Sequence, residues 1–471
     1  MLSCPWGRGK VEYSEISESQ DPRCSTTGSR AMKIAGILGI LLLCLTLNGL
    51  NQASREPVTV TFLDVEYDTP DLLPLLSRDL QAFTKETGIQ IKRLPGPDGS
   101  LNQLALWRQL LQKGAPTPDL YSIDVIWSGI LNPYLMDLKP YFATELSSQP
   151  PVVLASYTVD NKLVAMPHHA YVGVLLYRTD LLRKYGYREP PKTWDELETM
   201  ASRIQAGERA KGQKDFWGYV WQGGVSEDLT CAGLEWQISE GGGRIIENDK
   251  TISVNNPHTI RAWQRAARWV GSISPPGVVA YSKWDAENVF GSGKAAFFRG
   301  WEGDFSLIDW VPLPGGVTDV GMTGIPGGRA GRASTLGGNG LAISRTAAHS
   351  RESLELIRFL LQRDVEHKRT REHSQPPPVP ELYELPAVLE PYPQLARSQR
   401  ATGVVARPSA ASGQRYEDVS RAYIRTLHSV LSGEVAPSSA AAALEKELME
   451  ITGFKPGPPS KRDWWSPEKG L

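Results

Sequence analysis

The sequence predicts an α/β protein with more than one core. Three observations carry that expectation. Apolar residues alternate along 58–63 and then recur every three to four positions along 72–83, and this switch of period repeats as far as residue 127. A strand–helix–strand–helix–strand order of that kind builds a parallel sheet. The chain has 471 residues, too many for one ordinary core, and its 41% hydrophobic and 22% charged content is that of a globular protein.

Residues 1–31 are polar and aperiodic, and are expected to be a disordered extension or a mis-assigned start ahead of Met32. Lys33, an apolar run over 34–47 and a small polar exit make 32–54 a signal peptide, the run being short for a spanning helix. The expected location is periplasmic or extracellular, with the protein secreted free or held at the membrane by an uncleaved signal. Cys4, Cys24 and Cys44 precede residue 50, so a processed chain keeps Cys231 and forms no internal disulfide.

Residues 58–63 read as a first strand that delivers Asp64 and, beyond it, Glu66. That end of an open α/β sheet is where ligands bind, which makes both acids candidate polar contacts. Leu72, Leu76, Leu80 and Phe83 mark one face of a helix that Gly88 stops. Ile89 and Ile91 give a second strand, and Leu101, Leu104 and Leu111 a second helix. Residues 120–127 form a third strand with Asp124 and Trp127 at its end. Residues 163–167 and 172–177 read as two short strands on either side of His168, His169 and Tyr171, a crossover between lobes. Thr193 to Glu196 is a capping box that opens a helix through Leu197, Met200 and Ile204.

The stretch 219–236 combines Tyr219, Trp221 and Trp236 with Glu227, Asp228 and Glu235. Flat aromatic faces beside hydrogen-bonding groups suit a sugar ring; a buried aromatic turn is the other reading of the same residues. After a turn at 241–243, Asn256-Pro257 starts a helix with Ile260, Trp263 and Val270. Residues 286–301 read as a helix end, a Gly-rich turn and a strand delivering Arg299 and Trp301. Gly291 to Lys294 lacks the spacing of a phosphate loop. Ser350 opens a helix, 375–380 is a rigid Pro-rich loop, and helices follow around 419–430 and 440–451.

The net charge is −1 with both signs dispersed, which excludes a nucleic-acid footprint. No Cys or His spacing offers a metal site, and no cofactor is expected.

The order of motifs resembles the extracellular solute-binding proteins (family 1) of bacterial sugar ABC transporters, most of all the trehalose/maltose-binding group. The resemblance rests on 118–127 (PDLYSIDVIW), 175–197, 216–223 (FWGYVWQG) with Glu227-Asp228, 290–301 (FGSGKAAFFRGW), 334–344 (STLGGNGLAIS) and Ala406-Arg407-Pro408. It implies a two-lobed, periplasmic-binding-protein-like (type II) α/β fold with a hinge and an interlobe cleft. The lobes it implies are an N-terminal one from 55–166 and 285–337 and a C-terminal one from 167–284 and 338–471. It implies a monomeric, non-catalytic receptor that captures a di- or oligosaccharide and delivers it to the membrane permease of an ABC importer by lobe closure. Asp124, Glu227, Trp301 and Arg407 match the family's ligand-contacting aspartate, glutamate, tryptophan and arginine. Three positions depart: Tyr171 replaces an aspartate, Asn339 a tryptophan, and Ser226 an aromatic. Tyr171 and Asn339 therefore occupy ligand positions with changed chemistry. A polyol, a glycerol-phosphate ester or a modified sugar is the alternative ligand. A glycoside hydrolase using Asp124 and Glu227 is the rival of another class.

Overall fold

A mixed β-sheet threads the protein, described here by a computed structural model over residues 57–64, 73–97, 100–302, 320–373 and 403–460. These residues belong to the compact unit Pro57–Leu471; the signal segment, Glu66 and the 375–380 loop lie outside the described residues. Strands β1 (Thr59–Asp64), β2 (Gln90–Pro95) and β3 (Leu120–Asp124) are parallel, with helices α1 (Leu73–Thr87) and α2 (Ser100–Gln112) following the first two. Gly88 ends α1 at a φ of 77°, a left-handed conformation that glycine reaches without a Cβ penalty. Helix α2 buries Leu104, Trp107 and Leu111, whereas Leu101 is on its exposed side.

Beyond β3 the sheet departs from the expected parallel order. A short hairpin, β4 (Thr158–Val159) and β5 (Lys162–Leu163), leads into β6 (Met166–Arg178). Strand β6 is continuous over 13 residues where the sequence predicts two short strands. Pro167, His168 and His169 interrupt the apolar pattern without interrupting the backbone. Strands β7 (Trp217–Val220), β8 (Ala295–Trp301), β9 (Val320–Gly324), β10 (Ala333–Ile343) and β11 (Gly403–Val405) complete the sheet. β10 runs antiparallel to both β3 and β6, so the sheet order is β2-β1-β3-β10-β6-β8-β7. The far half of β6 pairs with β8 and β9, and β8 runs parallel to β7.

The longer of the remaining helices are α3 (Trp194–Ala210), α4 (Glu227–Ser239), α5 (Pro257–Trp269), α6 (Lys283–Gly291), α7 (Ser350–Leu360), α8 (Arg363–His373), α9 (Tyr416–Leu431) and α10 (Pro437–Thr452). The capping box is formed: Thr193 Oγ1 accepts the Glu196 amide and the Glu196 carboxylate accepts the Thr193 amide, each at 3.2 Å.

Two hydrophobic cores result. The first gathers Phe62, Leu80, Trp107, Tyr121, Leu341 and Ile357; the second gathers Leu197, Trp236, Trp263, Leu427 and Leu444. Strand β6 serves both, since its alternate side chains point to opposite faces: Val174 and Leu176 enter the first core, Leu175 and Tyr177 the second. Tyr219, Trp221 and Trp236 are fully buried, in edge-to-face contact with one another or with Trp269. Of the two readings of 219–236, these rings follow the buried aromatic one.

Candidate functional site

Strand register brings several expected residues onto one face of the sheet. Asn339 of β10 lies opposite Asp124 of β3 and, on its other side, opposite His169 of β6. Two residues along, Gly337 faces Tyr171, and Gly173 of β6 faces Trp301 of β8. The Tyr171 and Trp301 rings meet edge to face, with centroids 5.4 Å apart and planes at 80°. Gly337 makes room for both. A Cβ there would come within 2.5 Å of the Tyr171 ring and 3.1 Å of the Trp301 ring. Trp301 is 9% exposed, Asn339 is buried, and Tyr171 is partly open.

Beside the rings lies a charged cluster. Arg407 follows β11 in a short loop and is 8% exposed. Its Nη1 donates to Glu227 Oε1 at 3.1 Å, its Nη2 donates to the Leu336 carbonyl at 3.4 Å, and Nη2 lies 3.8 Å from Asp124 Oδ1. Glu227 also accepts the hydroxyls of Tyr416 and Ser420. Asp124 Oδ1 accepts the Ile126 amide at 3.1 Å, so this acid caps the turn after β3 and also faces the guanidinium. Glu227 opens α4, where the helix N-terminus favours a negative charge.

Burial raises the carboxyls of both Asp124 and Glu227 above the ordinary range, and Arg407 opposes the rise. For Asp124 the nearby Asp228 adds to it. Cys231, one turn along α4 from Glu227, has its thiol pushed up to about 12 by burial and is no thiolate nucleophile.

Asp64 is 1% exposed and its Oδ2 accepts Arg93 Nε of β2 at 2.9 Å. This ion pair ties it to β2, apart from the pairings of Arg407 with Asp124 and Glu227. His168 and His169 are buried, in contact with each other, and His168 contacts Arg369 of α8; burial holds both imidazoles well below their usual range. Among the described residues no group of three or more His, Cys, Asp or Glu is placed to hold a metal ion.

The structure thus unites Asp124, Glu227 and Arg407, and sets Tyr171, Trp301 and Asn339 alongside. Sequence reasoning did not name Tyr416 or Ser420; it named Arg299 and Glu235 without pairing them, and gave Gly337 no role. Tyr416 and Ser420 carry a readable signal, since they are four residues apart on a helix that starts soon after Arg407.

Residues 80–396 match the family of bacterial extracellular solute-binding proteins. The chain belongs to that family. A relative described as a probable ABC transporter-binding protein of Deinococcus radiodurans is 39% identical over 377 residues, 79% of this chain and 89% of the relative. Among solved structures, the maltose-bound MalE3 of T. maritima superposes with a TM-score of 0.73 at 31% identity, covering 84% of this chain and 100% of that one. An ABC transporter solute-binding protein of Thermotoga lettingae TMO bound with α-D-tagatose has the same TM-score at 21% identity, over 84% of this chain and 100% of its own. The fold of this solute-binding protein is therefore the two-lobed α/β one, with a hinge and an interlobe cleft.

Proposed function

We propose that this solute-binding protein is the receptor of an ABC importer for a neutral saccharide of two or more units. The observation that carries the reading is an aromatic pair, Tyr171 and Trp301, set beside the Asp124–Arg407–Glu227 cluster on strands that join the two cores. An aromatic face covers the apolar face of a sugar ring, while carboxylates accept its hydroxyls in charge-assisted hydrogen bonds. Asp124, Glu227, Asn339 and Arg407 supply the polar contacts, with Asp64 and Glu66 as outlying candidates. The maltose held by MalE3 supports a saccharide. A phosphate ester is disfavoured because the guanidinium of Arg407 already faces two carboxylates.

Binding proceeds without turnover. A glycosidase needs two carboxyls flanking the scissile bond, whereas Asp124 and Glu227 approach the same guanidinium, and Glu227 already accepts three donors.

In this reading the lobes follow strand pairing: of the described residues, those within 57–170 and 337–373 form the first, and 171–302, 320–336 and 403–460 the second. Support for placing β8 in the second lobe is its pairing with β6 and β7, and support for placing β10 in the first is its pairing with β3, although Ala286 and Phe290 of α6 pack into the first core. The lobes close over the sugar and the closed form is what the permease engages. The receptor acts as a monomer outside the cytoplasmic membrane, exported by the 32–54 signal.

A thermal-shift series with maltose, ribitol and glycerol 3-phosphate tests the reading, with chromatography of the recovered ligand. Maltose raises the melting temperature and is recovered intact; Trp301→Ala cuts the shift by more than half and leaves the unliganded melting temperature within a few degrees. A shift confined to glycerol 3-phosphate, or cleavage of maltose to glucose, overturns it.

A further inference from the structure

Behind Trp301 lies an ion pair that the sugar-binding reading does not use. Arg299 and Glu235 are both 0% exposed. The guanidinium forks onto the carboxylate, Nε to Oε2 at 3.1 Å and Nη2 to Oε1 at 2.7 Å. Thr335 of β10 holds the same Oε1 with its amide at 3.1 Å and its hydroxyl at 2.6 Å. Gly173 is where the chain makes space for this group: a Cβ there would clash with Glu235 and lie 2.6 Å from Arg299 Nη2. A dry ion pair of this kind is commonly replaceable by apolar residues with no loss of stability, so stability alone does not account for it.

Its geometry does. Arg299 Cζ lies 4.2 Å from the Trp301 ring, over its face. The carboxylate is pinned by β10, the guanidinium is pinned by the carboxylate, and the ring rests on the guanidinium. Tyr171 meets the ring edge to face, and Gly337 lacks the side chain that would crowd both rings. Glu235 also stands eight residues after Glu227, so Glu227, Cys231 and Glu235 form one stripe along α4. One helix thus anchors the plate under the ring and supplies a carboxylate of the ligand cluster.

We propose that Arg299 and Glu235 are positioning residues that hold Trp301 in a single ring orientation, with one face covered and the other presented to the ligand. The proposal rests on the reading of Trp301 as a sugar-facing ring. A ring fixed beforehand spares the complex the entropy of ordering it.

The test pairs Arg299→Met with Glu235→Gln, which leaves no uncompensated charge and keeps an acceptor for Thr335. Arg299→Lys retains charge without the flat fork. Two readouts are taken. The first is the near-ultraviolet circular dichroism contributed by Trp301, obtained as wild type minus Trp301→Phe. The second is maltose affinity by titration calorimetry, with and without Trp301→Ala. The paired variant is expected to fold, to lose at least half of the Trp301 dichroism, and to bind maltose at least tenfold more weakly, about 1.4 kcal/mol. Arg299→Lys falls between it and the wild type. In the Trp301→Ala background the paired replacement adds no further loss. Retained dichroism, or an equal loss with and without Trp301, overturns the proposal. If wild type binds no maltose, the sugar reading fails while the dichroism still decides the orientation.

Discussion

Glu227 collects hydrogen bonds from Arg407, Tyr416 and Ser420, all at least 180 positions away in the chain. A half-buried carboxylate held among such donors is helped to stay charged. A more deeply buried acid answers differently. Glu366 on α8 is 3% exposed, and burial raises its carboxyl to about 7 against the pull of Arg369 and Arg363. The folded state then keeps this proton up to a pH near 7, while the unfolded chain releases it in the ordinary carboxylate range. The folded state binds more protons across that window, so stability falls as pH rises through it. The full cost is reached above pH 7 and is on the order of 3 kcal/mol. Glu366→Gln is expected to flatten the decline of the urea midpoint between pH 5 and pH 8 and to be the more stable form at pH 8. An unchanged slope would remove Glu366 as its source.

At the scale of elements, the antiparallel strands β10 and β6 come close together at Gly338. Its φ is 130°, and a Cβ there would run into the carbonyl oxygen of His169, which is backbone and cannot turn aside. Gly338→Ala is therefore expected to cost several kcal/mol, at or beyond the about 1–3 kcal/mol typical of a strained backbone position. Chemical denaturation reads that loss directly, and a change under 1 kcal/mol would mean that the strands can part there. The first three strands and two helices were legible because each carries a clear period of two or 3.6. The continuity of β6 was not, since Pro167, His168 and His169 break its apolar pattern while its neighbours β10 and β8 supply the hydrogen bonds. Nor could periodicity show that Tyr219, Trp221 and Trp236 face inward, because a ring suits a core and a ligand equally. Trp301 and Arg407 were legible through motif resemblance; the Arg299–Glu235 pair was not, its partners being 64 residues apart with no local signature.

At the scale of the molecule, the proposed function makes closure the functional step. Maltose at about a hundredfold its dissociation constant is expected to stabilise the receptor by about 2.7 kcal/mol. It is also expected to lower the radius of gyration measured by X-ray scattering. Full binding with an unchanged radius would separate capture from closure.

The stitching of the cores by β6 and β10 has a further effect, on the order in which the chain can be made. The first core takes residues from Val60 to Leu360 and beyond, so its opening strands wait for partners such as Leu341 and Ile357. At about 5–20 residues per second of synthesis that wait is on the order of ten seconds or more. A nascent chain whose first core stays incomplete for that interval is easier to thread, which suits passage through a membrane pore before folding on the far side.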